Sequence, residues 1–387
     1  VSLSKTTASI VFGHSGASPA SLSTASLNGT SGFNVTGLSF GSVHSLGDIN
    51  GDGYDDFAVV TSGSGYVVFG HSGAFGASFD VGTIGGAIGF KLASTTSIND
   101  VEAAGDFNGD GYSDFLVLDQ HSAYVVYGHQ SGFPSTLSLN NLDSTQELRI
   151  DGYDLSSVQR AGDINGDGFD DLVLGSYWNW VSHNPDIRGS DYVVFGGDFT
   201  GTVAHIGTAG GDAFSGSSAA ESFVGGGGDD TLNGGGGADV FHGGAGNDHI
   251  HVSDHNFHLV DGGGGADTLH LDFAGAIDFG NLDGNAATSD RGKISNIETI
   301  DVTNGQNNAL TLHLADVLDL DVRDTNVGGK ASLDNTLKID GNAGDTLHLS
   351  TADGWSAADT STLAGYAIYT HQAVHVAVDT DIAVTVS

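Results

Sequence analysis

Apolar residues in the first half of the chain come in short runs broken by glycine, serine and aspartate. FAVV at 57–60, FLVL at 115–118 and LVLG at 172–175 are each followed by a second run, YVVFG at 66–70, YVVYG at 124–128 and YVVFG at 192–196. Runs this short, rich in valine and aromatic residues and bounded by turn formers, predict β-strands. Variable stretches with alternating apolar and polar positions follow each pair and predict further strands. Around residue 205 the pattern changes to nine-residue units: GTAGGDAFS (207–215), GSSAAESFV, GGGGDDTLN, GGGGADVFH, GGAGNDHIH (243–251) and, after a slipped segment, GGGGADTLH (262–270). From about residue 277 the glycine period fades into alternating segments such as LTLHL, YAIYT, AVHVAV and IAVTV, with one short helix predicted at LADVLDL. The predicted fold class is all-β.

The paired runs form a repeat. Asp48, Asp106 and Asp163 fall in register, 58 and 57 residues apart, and an orphan SIVFG at 9–13 lacks an acidic segment before it. Four short strands per ~60 residues suit a propeller blade, and about four to eight blades close a ring. Residues 1–205 are therefore expected to hold three complete units and the tail of a fourth. Such a partial propeller is either preceded by more blades or capped by another structure. The nonapeptides are assigned to 206–275 and a β-rich C-terminal domain to 276–387.

Composition gives these loops a chemistry. Ten lysines and arginines stand against 48 acidic residues, for a formal charge of −38. That balance repels nucleic acid and anionic lipid and attracts cations. Only four of the acids are glutamate (Glu102, Glu147, Glu221 and Glu298), and there are 62 glycines and no cysteine. Aspartate favours turns and sets its carboxylate beside backbone carbonyls, where both can share a hard cation such as Ca²⁺. Disulfides and thiolate sites are excluded. No apolar run approaches the ~18 residues of a spanning helix, so no membrane insertion is expected. The lack of methionine and the opening VSLSKTTASIVFG point to a segment of a longer chain.

The first repeat spells D-x-N-x-D-G-x-x-D. Asp48, Asn50 and Asp52 aim alternate oxygens inward, Gly53 allows the sharp turn, Tyr54 offers its carbonyl and Asp56 closes the shell. The second set is Asp106, Asn108, Asp110, Tyr112 and Asp114, and the third is Asp163, Asn165, Asp167, Phe169 and Asp171. Six or seven oxygens at this spacing suit Ca²⁺ better than Mg²⁺, which keeps its waters. An EF-hand is disfavoured, because no glutamate stands at position 12 and no helical periodicity flanks the loops. A strand ending VVFG beside such a loop resembles the FG-GAP repeats of the integrin alpha-chain propeller. The resemblance carries that family's calcium ligands onto these fifteen positions, with Tyr54, Tyr112 and Phe169 contributing carbonyls.

The nonapeptide G-G-x-G-x-D-x-U-x resembles the repeats-in-toxin (RTX) unit, which implies a calcium-filled parallel β-roll with U buried. The sixth-position acids are Asp212, Asp230, Asp239, Asp248 and Asp267, and U is Phe214, Phe223, Leu232, Phe241, Ile250 or Leu269. Glu221 replaces aspartate in GSSAAESFV, a unit short of glycine, so a full site is not expected there. Asp248 and Asp267 are 19 residues apart rather than 18, which implies a bulge or a break in the roll. The C-terminal region, with ISNIETIDVTNGQNNALTLHLADVLDL and VDTDIAVTVS, resembles the extreme C-terminal part of large RTX adhesins exported by type I secretion. That resemblance implies an uncleaved C-terminal signal and an extracellular or cell-surface location outside a Gram-negative cell. It also implies calcium-dependent adhesion to an extracellular protein or carbohydrate, or to copies of the chain. A surface-layer or filament subunit and the noncatalytic part of a secreted RTX hydrolase remain open alternatives.

Other signals are weaker. Among 17 histidines, His249, His251, His255 and His258 suggest zinc, yet His249 and His251 occupy variable nonapeptide positions, and His14, His71 and His129 recur as repeat turn residues. Tyr177, Trp178 and Trp180 in the insertion SYWNWVSHNPDIRG form a candidate stacking platform for a sugar or peptide, or else pack against the neighbouring roll. Neither H-E-x-x-H nor G-x-S-x-G occurs, and no enzymatic activity is expected.

Overall fold

The computed structural model describes residues 2–3, 7–12, 21–37, 40–73, 75–151, 155–178, 188–282, 292–320, 336–350, 353–356, 363–371 and 374–386. Two compact units result: Val1–Asn108 with Tyr112–Gly162 and Asp170–Thr200, and Gly109–Gly111 with Asp163–Phe169 and Gly201–Ser387. Trp180 lies outside the described residues, as do the side chains of Tyr177 and Trp178 and all of His14.

In the first unit each repeat builds an antiparallel sheet. One holds Phe40–Gly47, Asp56–Thr61, Gly65–Val68 and Gly89–Ala93 in that order, with Thr136–Ser138 added in parallel at its outer edge. The next holds Ile98–Gly105, Asp114–Asp119, Ser122–Val126 and Glu147–Asp151. The third shows Leu155–Gly162, Asp171–Trp178 and Arg188–Val194 among the described residues. The orphan run becomes Ala8–Val11, paired with Gly32–Thr36. The ladder slips just before each acidic loop, at Gly47, Gly105 and Gly162, whose φ angles are +77°, +74° and +71°. A left-handed residue at a bulge is cheap only for glycine, which explains why G-D opens every loop.

Period-2 alternation sends each repeat's apolar residues to two faces, and neighbouring repeats bury them against each other. Ala58, Val67 and Phe69 pack with Phe115, Val117 and Tyr124 of the next repeat. Leu116, Val125 and Tyr127 pack in turn with Leu172 and Leu174. The matching face of the third repeat is open: Val193 and Phe195 are 49% and 52% exposed, whereas Val125 and Tyr127 are 0% and 3% exposed.

In the second unit successive nonapeptides land alternately on two parallel sheets. Ala213–Ser215, Thr231–Asn233, His249–Val252 and Thr268–Leu271 form one, and His205–Ile206, Ser222–Gly227, Val240–Ala245 and Leu259–Asp261 the other. The predicted U residues stack from rung to rung, Phe214 on Leu232 on Ile250 on Leu269, and Phe223 on Phe241. Phe223, Leu232, Phe241, Ile250 and Leu269 are fully buried. Of the bulge or break expected between Asp248 and Asp267, the roll shows no break, since His249 to Val252 pair in register with Thr268 to Leu271. The extra residue is taken up in the turn before Leu259, where buried Phe257 replaces the glycine-rich sequence.

The coil runs on past residue 275. Its first sheet continues in parallel through Thr299–Asp301, Thr336–Asp340 and Val374–Asp379, and closes on the antiparallel strand Tyr366–His371. A third parallel sheet joins it, made of Gly275–Asp278, Asn308–Leu312, Thr346–Leu349 and Ala383–Val386. One apolar core extends from Phe223 to Ile382, and the predicted helix, Leu314–Asp319, contributes Val317 to it. None of the helices among the described residues is long and apolar enough to cross a membrane.

The glycines ending the first two runs, Gly70 and Gly128, have a steric reason. A Cβ at Gly128 would stand 2.4 Å from the Ser113 carbonyl oxygen and 2.8 Å from Cβ of Tyr112. Gly128→Ala is therefore expected to destabilise the first unit by about 2 kcal/mol or more, at the upper end of single-residue effects. Denaturant melts of wild type and variant in saturating calcium measure this; equal midpoints would refute the steric account.

Candidate metal centres

The acidic loops wrap around their first aspartate. Asp48 Oδ1 accepts the amide N–H groups of Gly51 and Asp52 at 2.7 and 3.1 Å, and its Oδ2 accepts that of Gly53 at 2.7 Å. Asn50 Oδ1 accepts from Asp52 at 2.9 Å, and Asp52 Oδ1 accepts from Tyr54 at 3.0 Å. The third loop repeats this arrangement: Asp163 takes the amides of Gly166, Asp167 and Gly168, Asn165 that of Asp167, and Asp167 that of Phe169. The spacing thus gathers the side-chain oxygens of positions 1, 3 and 5 into one turn. In the second loop Asn108 is fully buried, and Asp106 and Asp110 hold the matching positions.

The ninth-position aspartates also tie strand to loop. Asp56 accepts from the Ile49 and Gly70 amides at 3.1 and 2.8 Å, Asp114 from Phe107 and Gly128 at 2.9 and 2.8 Å, and Asp171 from Gly196 at 3.0 Å. Burial pushes Asp56 up to about 8, against the lowering effect of these amides. The seventh-position aromatics do more than offer a carbonyl. A Cβ at Gly51 would lie 2.4 Å from the Tyr112 ring, and one at Gly109 2.5 Å from the Phe169 ring, so each ring roofs the loop before it.

In the coil the acids form a column. The amide of Asp212 donates to Asp230 Oδ1 at 2.6 Å, Asp230 to Asp248 at 2.8 Å, Asp248 to Asp267 at 2.8 Å and Asp267 to Glu298 Oε2 at 2.8 Å. On the opposite edge Glu221 donates to Asp239 Oδ1 at 3.0 Å. The second oxygens of Asp230, Asp248 and Asp267 are buried without any hydrogen-bond partner. An orphaned ionised oxygen in the interior is costly unless a cation meets it. Glycine leaves room beside each: a Cβ at Gly225, Gly243 or Gly262 would fall 2.5, 2.4 or 2.7 Å from the same nonapeptide's Oδ2, and 2.4, 2.3 or 2.0 Å from a carbonyl oxygen of the next turn. Carboxylate and carbonyl oxygens converging where no side chain can enter are the donor set of Ca²⁺. Asp212, Asp230, Asp248 and Asp267 would hold it along one edge, and Asp239 along the other.

Glu221 takes the same place as the aspartates: its Oε2 accepts the Ser217 amide at 2.6 Å, as Asp212 accepts that of Thr208. Two acids were missed by the period. Glu298 ends the column, and its signal is the acid-x-aliphatic spacing of Glu298 and Ile300, the same as Asp267 and Leu269. Asp345, fully buried, binds the amides of Asn308 and Asn342 at 2.7 and 2.6 Å inside the shortened motif GNAGD.

Burial raises the carboxyls of Asp239 and Asp248 to about 6 and that of Asp267 to about 8, above the ordinary value of 3.8. A raised folded-state value gives stability that is present at low pH and lost as pH rises through it. In chelator, the melting temperature of the coil should therefore rise on acidification from pH 8 to 5. With calcium the order reverses, because protons compete with the ion. Asp248→Asn should lower the melting temperature in calcium yet leave it equal or higher in chelator at pH 8. Calorimetric scans of both proteins under the four conditions measure this; a variant equally destabilised with and without calcium would refute it.

Comparison with known families supports both halves of this description. The model of the RTX calcium-binding nonapeptide repeat matches residues 215–250, and that of the FG-GAP-like repeat matches residues 106–174. No curated protein matches the chain. The chain thus carries calcium-binding repeats of the RTX type together with an FG-GAP-like repeat, and its cofactor is Ca²⁺.

Proposed function

We propose that this chain is a binding segment, without catalytic activity, of a large secreted RTX adhesin, and that it folds on calcium after export through a type I system. The observation that carries the reading is the column of buried, partnerless carboxylate oxygens at Asp230, Asp248 and Asp267. Such a column opposes folding where calcium is scarce and favours it where the ion is abundant. Extracellular calcium modules bind at about 10⁻⁴ to 10⁻³ M, which suits a chain kept open inside the cell and closed outside it. Once folded, the integrin-like blades present a rigid surface to an extracellular protein or carbohydrate. Retention of labelled chain on polysaccharide-coated beads should require millimolar calcium and vanish in chelator. Retention that is equal in both, with circular dichroism reporting folding only in calcium, would overturn the adhesive role.

A second reading, assembly with copies of itself, is favoured by the open face of the third repeat. Val173, Val193 and Phe195 are 37%, 49% and 52% exposed where the second repeat's counterparts are covered. Light scattering in calcium should then show association that Val193→Asp abolishes, and a monomer at all concentrations would exclude it.

A further inference from the structure

The first strands of two successive repeats, Phe40–Gly47 and Ile98–Gly105, are edge strands of their sheets. They bring together His44, Asp100 and Glu102, one ligand atom of each lying within 4.8 Å of the other two. The repeat does not call for these residues. Four positions before the loop aspartate stand His44, Glu102 and Gln159, and six before it Ser42, Asp100 and Ser157. They are neither core residues nor members of the calcium loops.

Hydrogen bonding fixes the imidazole. Nδ1 of His44 lies 2.9 Å from Glu102 Oε1, so Nδ1 carries a proton and donates it. Nε2 is buried with no hydrogen-bond partner and faces Asp100 Oδ1 across 3.5 Å. That approach requires a positive charge in the gap, either a proton on Nε2 or a metal ion. Ligand atoms bound to one zinc at about 2.0–2.2 Å in tetrahedral geometry stand roughly 3.3–3.6 Å apart. A carboxylate gripping the far nitrogen of an imidazole is the usual support of a histidine that binds metal. Nitrogen selects a transition ion over calcium, which takes oxygen ligands. The three side chains are each about a quarter exposed, at 24%, 29% and 23%, so the cluster borders solvent although Nε2 itself is buried.

We propose that His44 Nε2 and Asp100 Oδ1 bind one zinc-class divalent cation, with Glu102 as the positioning residue and solvent completing the shell. The site joins two repeats and is separate from their calcium loops. A second histidine cluster lies on the coil, where His249 Nδ1 meets His270 Nε2 at 2.8 Å and His270 Nδ1 meets Asp301 at 3.1 Å. It serves as the control.

Isothermal titration of the full chain with zinc chloride, in saturating calcium, tests the proposal. Wild type and His249→Gln should share a saturable component of one ion per chain that His44→Gln and Asp100→Asn both lose. Glu102→Gln should keep the stoichiometry and weaken affinity about tenfold or more. Circular dichroism in calcium checks that each variant is folded. Either the absence of a saturable zinc component in the wild type, or an isotherm unchanged in His44→Gln and Asp100→Asn, would overturn the site.

Discussion

A buried carboxylate needs a hydrogen-bond donor or a cation at each of its oxygens, and along the column of the coil the backbone supplies a donor to only one. Backbone amides meet one oxygen of Asp230, Asp248 and Asp267, and leave the other without a partner. With ten lysines and arginines against 48 acids, side chains cannot fill the deficit. A divalent cation can, and at each rung it would neutralise two neighbouring acids that otherwise repel across the ~4.8 Å spacing of adjacent strands. Folding and ion binding are then one equilibrium. The acidic loop 48–56 is built differently, since amides meet both oxygens of Asp48 and both of Asp56.

Both units are linear arrays in which each repeat is finished by the next. In the first, the aromatic ring of one loop roofs the loop before it, and each sheet face is buried by its successor. In the second, each acid's amide is held by the acid one turn later. Arrays of this kind lose their neighbour at the ends and need a cap there. The coil gains one as its turns widen beyond 18 residues, acquire a third sheet and close on the antiparallel strand Tyr366–His371. In the third repeat of the first unit Val193 and Phe195 stay about half exposed.

Residues that depart from the repeat are correspondingly informative. Gly47, Gly105 and Gly162 are identical because a bulge demands them, whereas His44 and Glu102 differ at one repeat position where packing demands nothing. Asp119 departs as well, but only structurally, taking hydrogen bonds from Thr96, Ser94 and the amides of His121 and Ser122, which hold its carboxyl below the ordinary value.

The sequence by itself determined what is local. Strand runs, the turn glycines, the D-x-N-x-D-G loops and the buried U positions all arise from contacts within about nine residues, so spacing alone displays them. Only the tertiary structure decided what depends on the neighbouring turn or repeat. Which oxygen of Asp248 is left partnerless follows from the amide of Asp230, a full turn away. Glu298 joins the column 31 residues after Asp267, a separation that no nine-residue period contains. The 19-residue step that suggested a bulge or a break is absorbed in the turn that holds Phe257, and the ladder of backbone bonds stays in register. His44 finds Asp100 and Glu102 across two sheets, because edge strands of adjacent repeats lie side by side.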